Sequence, residues 1–414
     1  MDTYLIVGAS LAGAKAAETL RTEGFPGRIV LIGEEGELPY ERPPLSKGYL
    51  LGSAARDKAY VHDESWYREH DVDLRLAVRV TMLDTAAREV TLDGGDKLGY
   101  DKLLLATGSR VRTLDVPGAD LHGVRYLRTL DESDALRASL RPGARVVVIG
   151  AGWIGLETAA AARHYGAEVT VVELDELPLR RVLGDEVARV FAGLHESHGV
   201  RFRFSTGVAE IVGSGGQVTG VRLDDGSEVP ADVVVAGVGI RPATELAEVA
   251  GLAVDNGVVT DERLRTSDPA VFACGDVASF HHPLIGRRIR VEHWANALNG
   301  GKAAARSMLG QDVAYDRVPY FFTDQYDLGM EYSGYVEPGG YDRVVFRGDP
   351  TVKAGAGEYI VFWTSRGRVL AGMNVNVWDV TEPIQRLVKA GFTGQSVDLD
   401  RLADPGVPLA DLVV

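Results

Sequence analysis

Twice in this chain an apolar run breaks into a glycine-rich turn and then into an alanine-rich stretch with helical spacing. The first is Tyr4-Leu5-Ile6-Val7, Gly8-Ala9-Ser10-Leu11-Ala12-Gly13 and Ala14 to Leu20. The second is Arg145-Val146-Val147-Val148-Ile149, Gly150-Ala151-Gly152-Trp153-Ile154-Gly155 and Leu156 to Tyr165. Strand, glycine turn and helix in that order predict a βα unit of a parallel sheet. The expected class is therefore α/β, with two Rossmann-like dinucleotide-binding units.

The second turn carries the stronger signal. Gly150 permits the tight turn, Gly152 lets backbone N–H groups approach a pyrophosphate, and Gly155 allows close helix–strand packing. The next strand, Glu168-Val169-Thr170-Val171-Val172-Glu173, ends in a carboxylate 23 residues beyond Gly150. An acid there accepts hydrogen bonds from the adenine ribose and repels a 2′-phosphate, so NADH is expected over NADPH. Arg180 and Arg181 weaken this, because nearby arginines accommodate a phosphate, but they follow the strand end by seven residues or more. The expected NADH contacts are Gly150, Gly152, Ile154, Gly155 and Glu173, with Gly239 from a later strand end.

The first turn has Ser10 at its middle position, where a small side chain still admits a phosphate. The following strand, Arg28-Ile29-Val30-Leu31-Ile32, leads to Glu34 and Glu35, either of which suits a ribose. This strand pattern starts at residue 4 and no stretch reaches ~18 apolar residues, so neither a signal peptide nor a membrane span is expected and the protein should be cytoplasmic.

A single cysteine, Cys274, excludes a disulfide framework within the chain and speaks against a cysteine-based metal site. The nine histidines show no metal-ligand spacing. His195 and His198 are expected near a helix end, and His281 and His282 in a loop before Pro283. A net charge of −15 argues against nonspecific nucleic-acid binding. At 414 residues, two to four domains are expected. Tyr100 to Arg110 and Ala231 to Pro242 read as exit strands running into glycine turns. Thr266 to Asp276 reads as a returning strand whose Gly275-Asp276 end suits either a ligand or a helix cap.

The order of Gly8 to Gly13, Arg42-Pro43-Pro44-Leu45-Ser46-Lys47, Ala106-Thr107-Gly108, Gly150 to Glu157 and Ala273-Cys274-Gly275-Asp276 resembles the FAD- and NADH-dependent ferredoxin reductases. These serve bacterial cytochrome P450 and ring-hydroxylating dioxygenase systems, and the likeness spans nearly the whole chain. It implies a glutathione-reductase-like fold: a discontinuous FAD-binding domain (1–112 and 243–316), an inserted NADH-binding domain (113–242) and a C-terminal α+β interface domain (317–414). By position it implies FAD contacts from Gly8, Ser10, Ala12, Gly13, Glu34, Arg42, Lys47, Val80, Ala106, Thr107, Gly108, Arg128, Asp276 and Trp294. Lys47 and Glu157 are implied as a catalytic pair, with the cation favouring the electron-rich flavin; the competing reading is a loop lysine and a surface glutamate. The helix beginning at Trp294 is implied to aim its N-terminus at the flavin.

Two departures stand out. Phe322 occupies a position where relatives carry tryptophan, and Ala243 follows Arg241-Pro242 where asparagine is usual. With no dithiol to receive electrons, the resemblance implies a [2Fe–2S] ferredoxin as acceptor, docked on local cations such as Lys302, Arg306, Arg287, Arg288 or Arg290. Alternatives are a monodehydroascorbate-reductase-like enzyme, a rubredoxin reductase, or an apoptosis-inducing-factor-like redox-gated binding flavoprotein.

Overall fold

The structure is a computed structural model that describes residues 1–351 and 355–412. The chain divides into two compact units, one formed by Met1–Glu41, Arg56–Arg110 and Ile240–Pro319, the other by Arg42–Ala55, Val111–Gly239 and Tyr320–Val414. No helix among the described residues is long and apolar enough to cross a membrane.

In the first unit, Thr3–Val7 is the centre of a five-stranded parallel sheet. Arg28–Ile32 and Val72–Arg75 lie on one side, Lys102–Leu105 and Val271–Ala273 on the other. Thr3–Val7, Arg28–Ile32 and Lys102–Leu105, the three inner strands, are rich in buried Val, Ile and Leu because helices cover a parallel sheet on both faces, whereas the edge strand Val72–Arg75 carries Asp73 and Arg75. The Leu11–Thr22 helix packs against Trp294–Met308, and glycine sets how closely: a Cβ on Gly301 would lie 2.3 Å from the Ala12 carbonyl oxygen. His281 and His282 depart from expectation. They end the Ala278–His282 strand, which pairs antiparallel with Arg287–Ile289, so Pro283 follows a strand rather than sitting within a loop.

The second unit repeats the plan. Arg145–Ile149 is central, flanked by Glu168–Val172 and Arg201–Arg203 on one side and by Val233–Ala236 and Val124–Arg125 on the other, all parallel. The helix after its glycine turn, Trp153–His164, starts three residues earlier than the periodicity predicts, and Trp153 packs edge-on against Phe191 and Phe321. His195 ends up in the last turn of Arg180–Ser197 and His198 caps that helix, as expected.

The same unit carries a five-stranded antiparallel sheet in the order Tyr320–Gln325, Leu328–Gly334, Arg368–Val375, Tyr359–Ser365, Arg343–Gly348. The Thr381–Phe392 helix lies on it. One apolar core runs from the Trp153–His164 and Arg180–Ser197 helices into this sheet, and the buried Trp363 indole donates to the Leu183 carbonyl at 2.9 Å. That continuity brings Tyr320–Gln325 against the Trp153–His164 helix.

Candidate active site

The two glycine turns have the same internal geometry. Gly8 and Gly150 have φ of +119° and +97°, values that favour glycine, and their N–H groups donate to Ile32 and Val172 at 2.8 Å. A Cβ on Gly13 would lie 2.0 Å from the Gly8 carbonyl oxygen, and one on Gly155 would lie 2.1 Å from that of Gly150. These glycines are demanded by the fold itself. Gly152 is different, because a Cβ there would meet nothing within 4 Å. The protein leaves that space open, as close approach of a phosphate requires.

The charge pattern at the helix starts agrees with this. Among the described residues, three helices, Glu64–Glu69, Leu130–Ser139 and Leu399–Ala403, begin with a side-chain cap, from Asp63, the Thr129–Glu132 capping box and Asp398. The Leu11–Thr22 and Trp153–His164 helices have neither a side-chain cap bond nor an acidic residue in the first turn. Their N–H groups and positive dipole ends are left for an anion. Trp294–Met308 likewise has no acid in its first turn. The donor set therefore fits two dinucleotides.

Glu173 Oε2 accepts from the Ala151 N–H at 2.6 Å and Oε1 from the Asp175 N–H at 2.9 Å, so the carboxylate is braced against the turn. Arg180 is engaged by Asp185 at 2.6 Å and Glu176 at 3.0 Å, and Arg181 by Asp175 at 2.8 Å. Neither arginine is held ready for a 2′-phosphate. Ile154 is 43 % exposed, an apolar surface within the turn. Gly239 has φ +94°, and its carbonyl accepts from Arg112.

In the first unit, the Ser10 hydroxyl donates to the Tyr40 carbonyl at 3.2 Å, which turns the side chain at the middle position of that turn to a protein partner. Glu34 is half exposed between Arg110 at 3.4 Å and Arg79 at 3.8 Å. Ala106 follows the buried Lys102–Leu105 strand, Thr107 Oγ1 donates to the Ala243 carbonyl, and Gly108 has φ +65°. Val80 is buried at the start of Val80–Asp84. Asp276 sits in the short helical turn Gly275–Val277 directly after the sheet strand Val271–Ala273, and the Trp294 indole donates to Glu41 at 2.9 Å.

Lys47 and Glu157 meet in the second unit. Lys47 follows the Pro43–Ser46 turn, where the prolines preset the first helical φ. Its Nζ lies 2.7 Å from Glu157 Oε1. Glu157 is only 3 % exposed, which removes the surface-glutamate reading. Ser46 Oγ donates to its other oxygen and Thr323 Oγ1 donates to Oε1, so the carboxylate has three partners. The Lys47 ammonium also stands 5.5 Å from the centroid of the Phe322 ring. Arg42 donates to the Arg128 backbone carbonyl, and the Arg128 N–H to Glu132 at 2.7 Å. Ser46 and Thr323 were not singled out from sequence. A signal for Thr323 existed: it shares strand parity with buried Phe321 and Gln325, and a polar residue on an inward face needs a partner.

The cations proposed for docking differ in availability. Arg306 is paired with Glu23 at 2.8 Å, Arg290 with Glu292, and Arg288 donates to the carbonyls of Thr260 and Ser279. Lys302 lies on the Trp294–Met308 helix and Arg287 at the start of the Arg287–Ile289 strand. Cys274 is fully buried, and burial pushes its thiol up to about 12.

Residues 2–301 match the pyridine nucleotide-disulphide oxidoreductase family and 320–413 the reductase C-terminal family. The chain is 42 % identical to the anthranilate 1,2-dioxygenase system ferredoxin–NAD(+) reductase component of Burkholderia cepacia, covering 99 % of this chain and 98 % of that protein. It is 37 % identical to putidaredoxin reductase of Pseudomonas putida, covering 100 % and 97 %. Among solved structures, putidaredoxin reductase in its covalent complex with putidaredoxin matches with a TM-score of 0.93 at 36 % identity over 100 % of this chain and 98 % of that one. The ferredoxin reductase for the CYP199A2 system of Rhodopseudomonas palustris matches with a TM-score of 0.93 at 38 % identity over 100 % of both chains. With its open dinucleotide turns, its buried lysine–glutamate pair and this full-length likeness, the chain belongs to the ferredoxin–NAD reductases of the pyridine nucleotide-disulphide oxidoreductase family.

Proposed function

We propose that this protein takes hydride from NADH and passes electrons singly to a [2Fe–2S] ferredoxin that serves a cytochrome P450 or oxygenase. The observation that carries the reading is the buried Lys47–Glu157 pair in a chain whose only cysteine is an inert, buried thiol. Bound FAD supplies a two-electron hydride acceptor that also releases electrons one at a time.

The protein's part is binding, orientation and charge. Residues 1–112 and 243–316 are assigned to FAD, 113–242 to NADH and 317–414 to the interface domain. Gly150, Gly152, Ile154 and Gly155 cradle the nucleotide, and Glu173 selects its ribose. Gly8, Ser10, Ala12, Gly13, Glu34, Val80, Ala106 to Gly108 and Asp276 hold FAD, together with Arg42, Arg128 and Trp294. Lys47 contributes a fixed positive charge that favours an electron-rich ring, and Glu157 keeps that charge in place. Lys302 is the preferred ferredoxin contact, since Arg306, Arg288 and Arg290 already have partners. A cytoplasmic location agrees with NADH as the donor.

The test is NADH-driven cytochrome c reduction with and without added [2Fe–2S] ferredoxin. Fast reduction only with ferredoxin supports the reading. Slow flavin reoxidation with nucleotide-dependent dimerisation, whatever ferredoxin is added, sinks it.

A further inference from the structure

A buried chain of hydrogen bonds runs from the end of the Arg180–Ser197 helix to Glu157, and its polarity is set from the carboxylate. Thr323 Oγ1 lies 2.5 Å from Glu157 Oε1. A hydroxyl has one proton, so while Thr323 donates to the carboxylate its lone pairs must face a donor. Gln325 Nε2 is that donor at 3.2 Å, which turns the amide oxygen toward His195. His195 Nε2 stands 2.7 Å from this oxygen and must carry the hydrogen. Nδ1 is then bare and accepts from the Tyr326 hydroxyl at 3.1 Å. Flipping the amide would set its oxygen against the threonine oxygen, and relieving that clash would take the hydroxyl proton away from Glu157.

His195, Gln325 and Thr323 are at most 1 % exposed, so bulk water does not replace a lost partner. Each donor points toward Glu157, and bonds aligned in one direction polarise one another. His198 stacks on Tyr326 at 3.7 Å and closes the far end.

We propose that Gln325 and His195 are positioning residues for the Lys47–Glu157 pair, holding the carboxylate through the Thr323 hydroxyl. The proposal rests on that pair belonging to the nicotinamide and flavin site. Neither residue touches a nucleotide in this scheme. They act by keeping Glu157, and through it Lys47, in one orientation.

The wild-type holoenzyme gives the first test. In ¹⁵N-histidine NMR, with the His195 signal assigned by its loss in His195→Gln, a neutral Nε2–H tautomer is expected at pH 7; an Nδ1–H tautomer, which leaves Nε2 with no hydrogen to donate to Gln325, overturns the proposal. The second test is anaerobic flavin reduction by NADH. Gln325→Leu and His195→Leu are expected to slow it by about 10- to 100-fold with nucleotide affinity changed far less, the penalty of a misplaced group. His195→Gln, whose amide nitrogen takes the place of Nε2, is expected to restore most of the rate. Equal rates in His195→Leu and His195→Gln overturn the relay. If Lys47→Ala also leaves flavin reduction unchanged, it is the assignment of the pair that has failed; if Lys47→Ala slows reduction and the Gln325 and His195 variants do not, only the relay has.

Discussion

Lys47 and Glu157 stand 110 residues apart in sequence and meet at 2.7 Å, with the carboxylate almost wholly buried. Removing one partner of a buried pair leaves an uncompensated charge, which costs about 3–5 kcal/mol. Lys47→Ala is therefore expected to lower the unfolding temperature and to slow flavin reduction by NADH. The double variant Lys47→Met/Glu157→Gln removes both charges and should recover most of the stability while flavin reduction stays slow. Recovery of both together would show that the pair is structural only. Thermal unfolding and stopped-flow flavin bleaching read the two quantities separately.

The glycine turns allow fold and ligand demands to be separated by one methyl group. Gly155→Ala places a Cβ 2.1 Å from the Gly150 carbonyl oxygen and should prevent the unit from folding normally. Gly152→Ala meets nothing within 4 Å and its φ of −77° is open to alanine. Its unfolding temperature should match wild type while the KM for NADH rises at least tenfold. An unchanged KM would mean that the nucleotide does not approach Gly152.

Much of this was legible from local pattern, because a βα unit is specified within about 30 residues by its apolar run, its glycines and its helical spacing. The place of Glu173, directly after the Glu168–Val172 strand, was readable for the same reason. What sequence did not show was set by contacts across long separations. Thr323 lies 166 residues from the carboxylate it supports, and Gln325 lies 130 from His195. Only the packing of the C-terminal sheet on the Trp153–His164 helix brings them together. His281 and His282 were read as loop because Pro283 follows, yet strand pairing with Arg287–Ile289 decided their conformation.

Glu173 braces the turn through the Ala151 and Asp175 N–H groups, so Glu173→Ala should raise the KM for NADH about tenfold through a looser turn. It should not create NADPH activity, because Arg180 and Arg181 remain paired with Asp185, Glu176 and Asp175. Comparable kcat/KM for the two nucleotides in this variant would show that those ion pairs open readily.

Cys274 is buried and its thiol is pushed up to about 12 by desolvation, so little thiolate exists at neutral pH. Alkylation by iodoacetamide should occur only after denaturation, and Cys274→Ala should keep NADH-driven ferredoxin reduction within about twofold of wild type, because surface and packing effects of so small a change are modest. Loss of ferredoxin reduction with intact flavin reduction would give the cysteine a part in electron exit.

His195 makes stability depend on pH with a defined sign. Burial pushes its pKa down to about 4, with the Gln325 hydrogen bond opposing and His198 adding to the shift. In the unfolded chain the imidazole takes a proton near pH 6.5. Between these values the unfolded state binds more protons than the folded one, so stability rises with pH and is lost as pH falls from about 6.5 toward 4. The full loss is on the order of 3 kcal/mol, from about 1.4 kcal/mol for each pH unit. Glutamine at this position does not titrate and keeps the bond to Gln325. The unfolding temperature of wild type should therefore fall more steeply than that of His195→Gln between pH 7 and 4.5, and the two should change in parallel above pH 7. Parallel curves throughout would mean that the imidazole takes its proton inside the fold as readily as in the unfolded chain; Nε2–H would still donate to Gln325, and only the bond between Nδ1 and the Tyr326 hydroxyl would turn round.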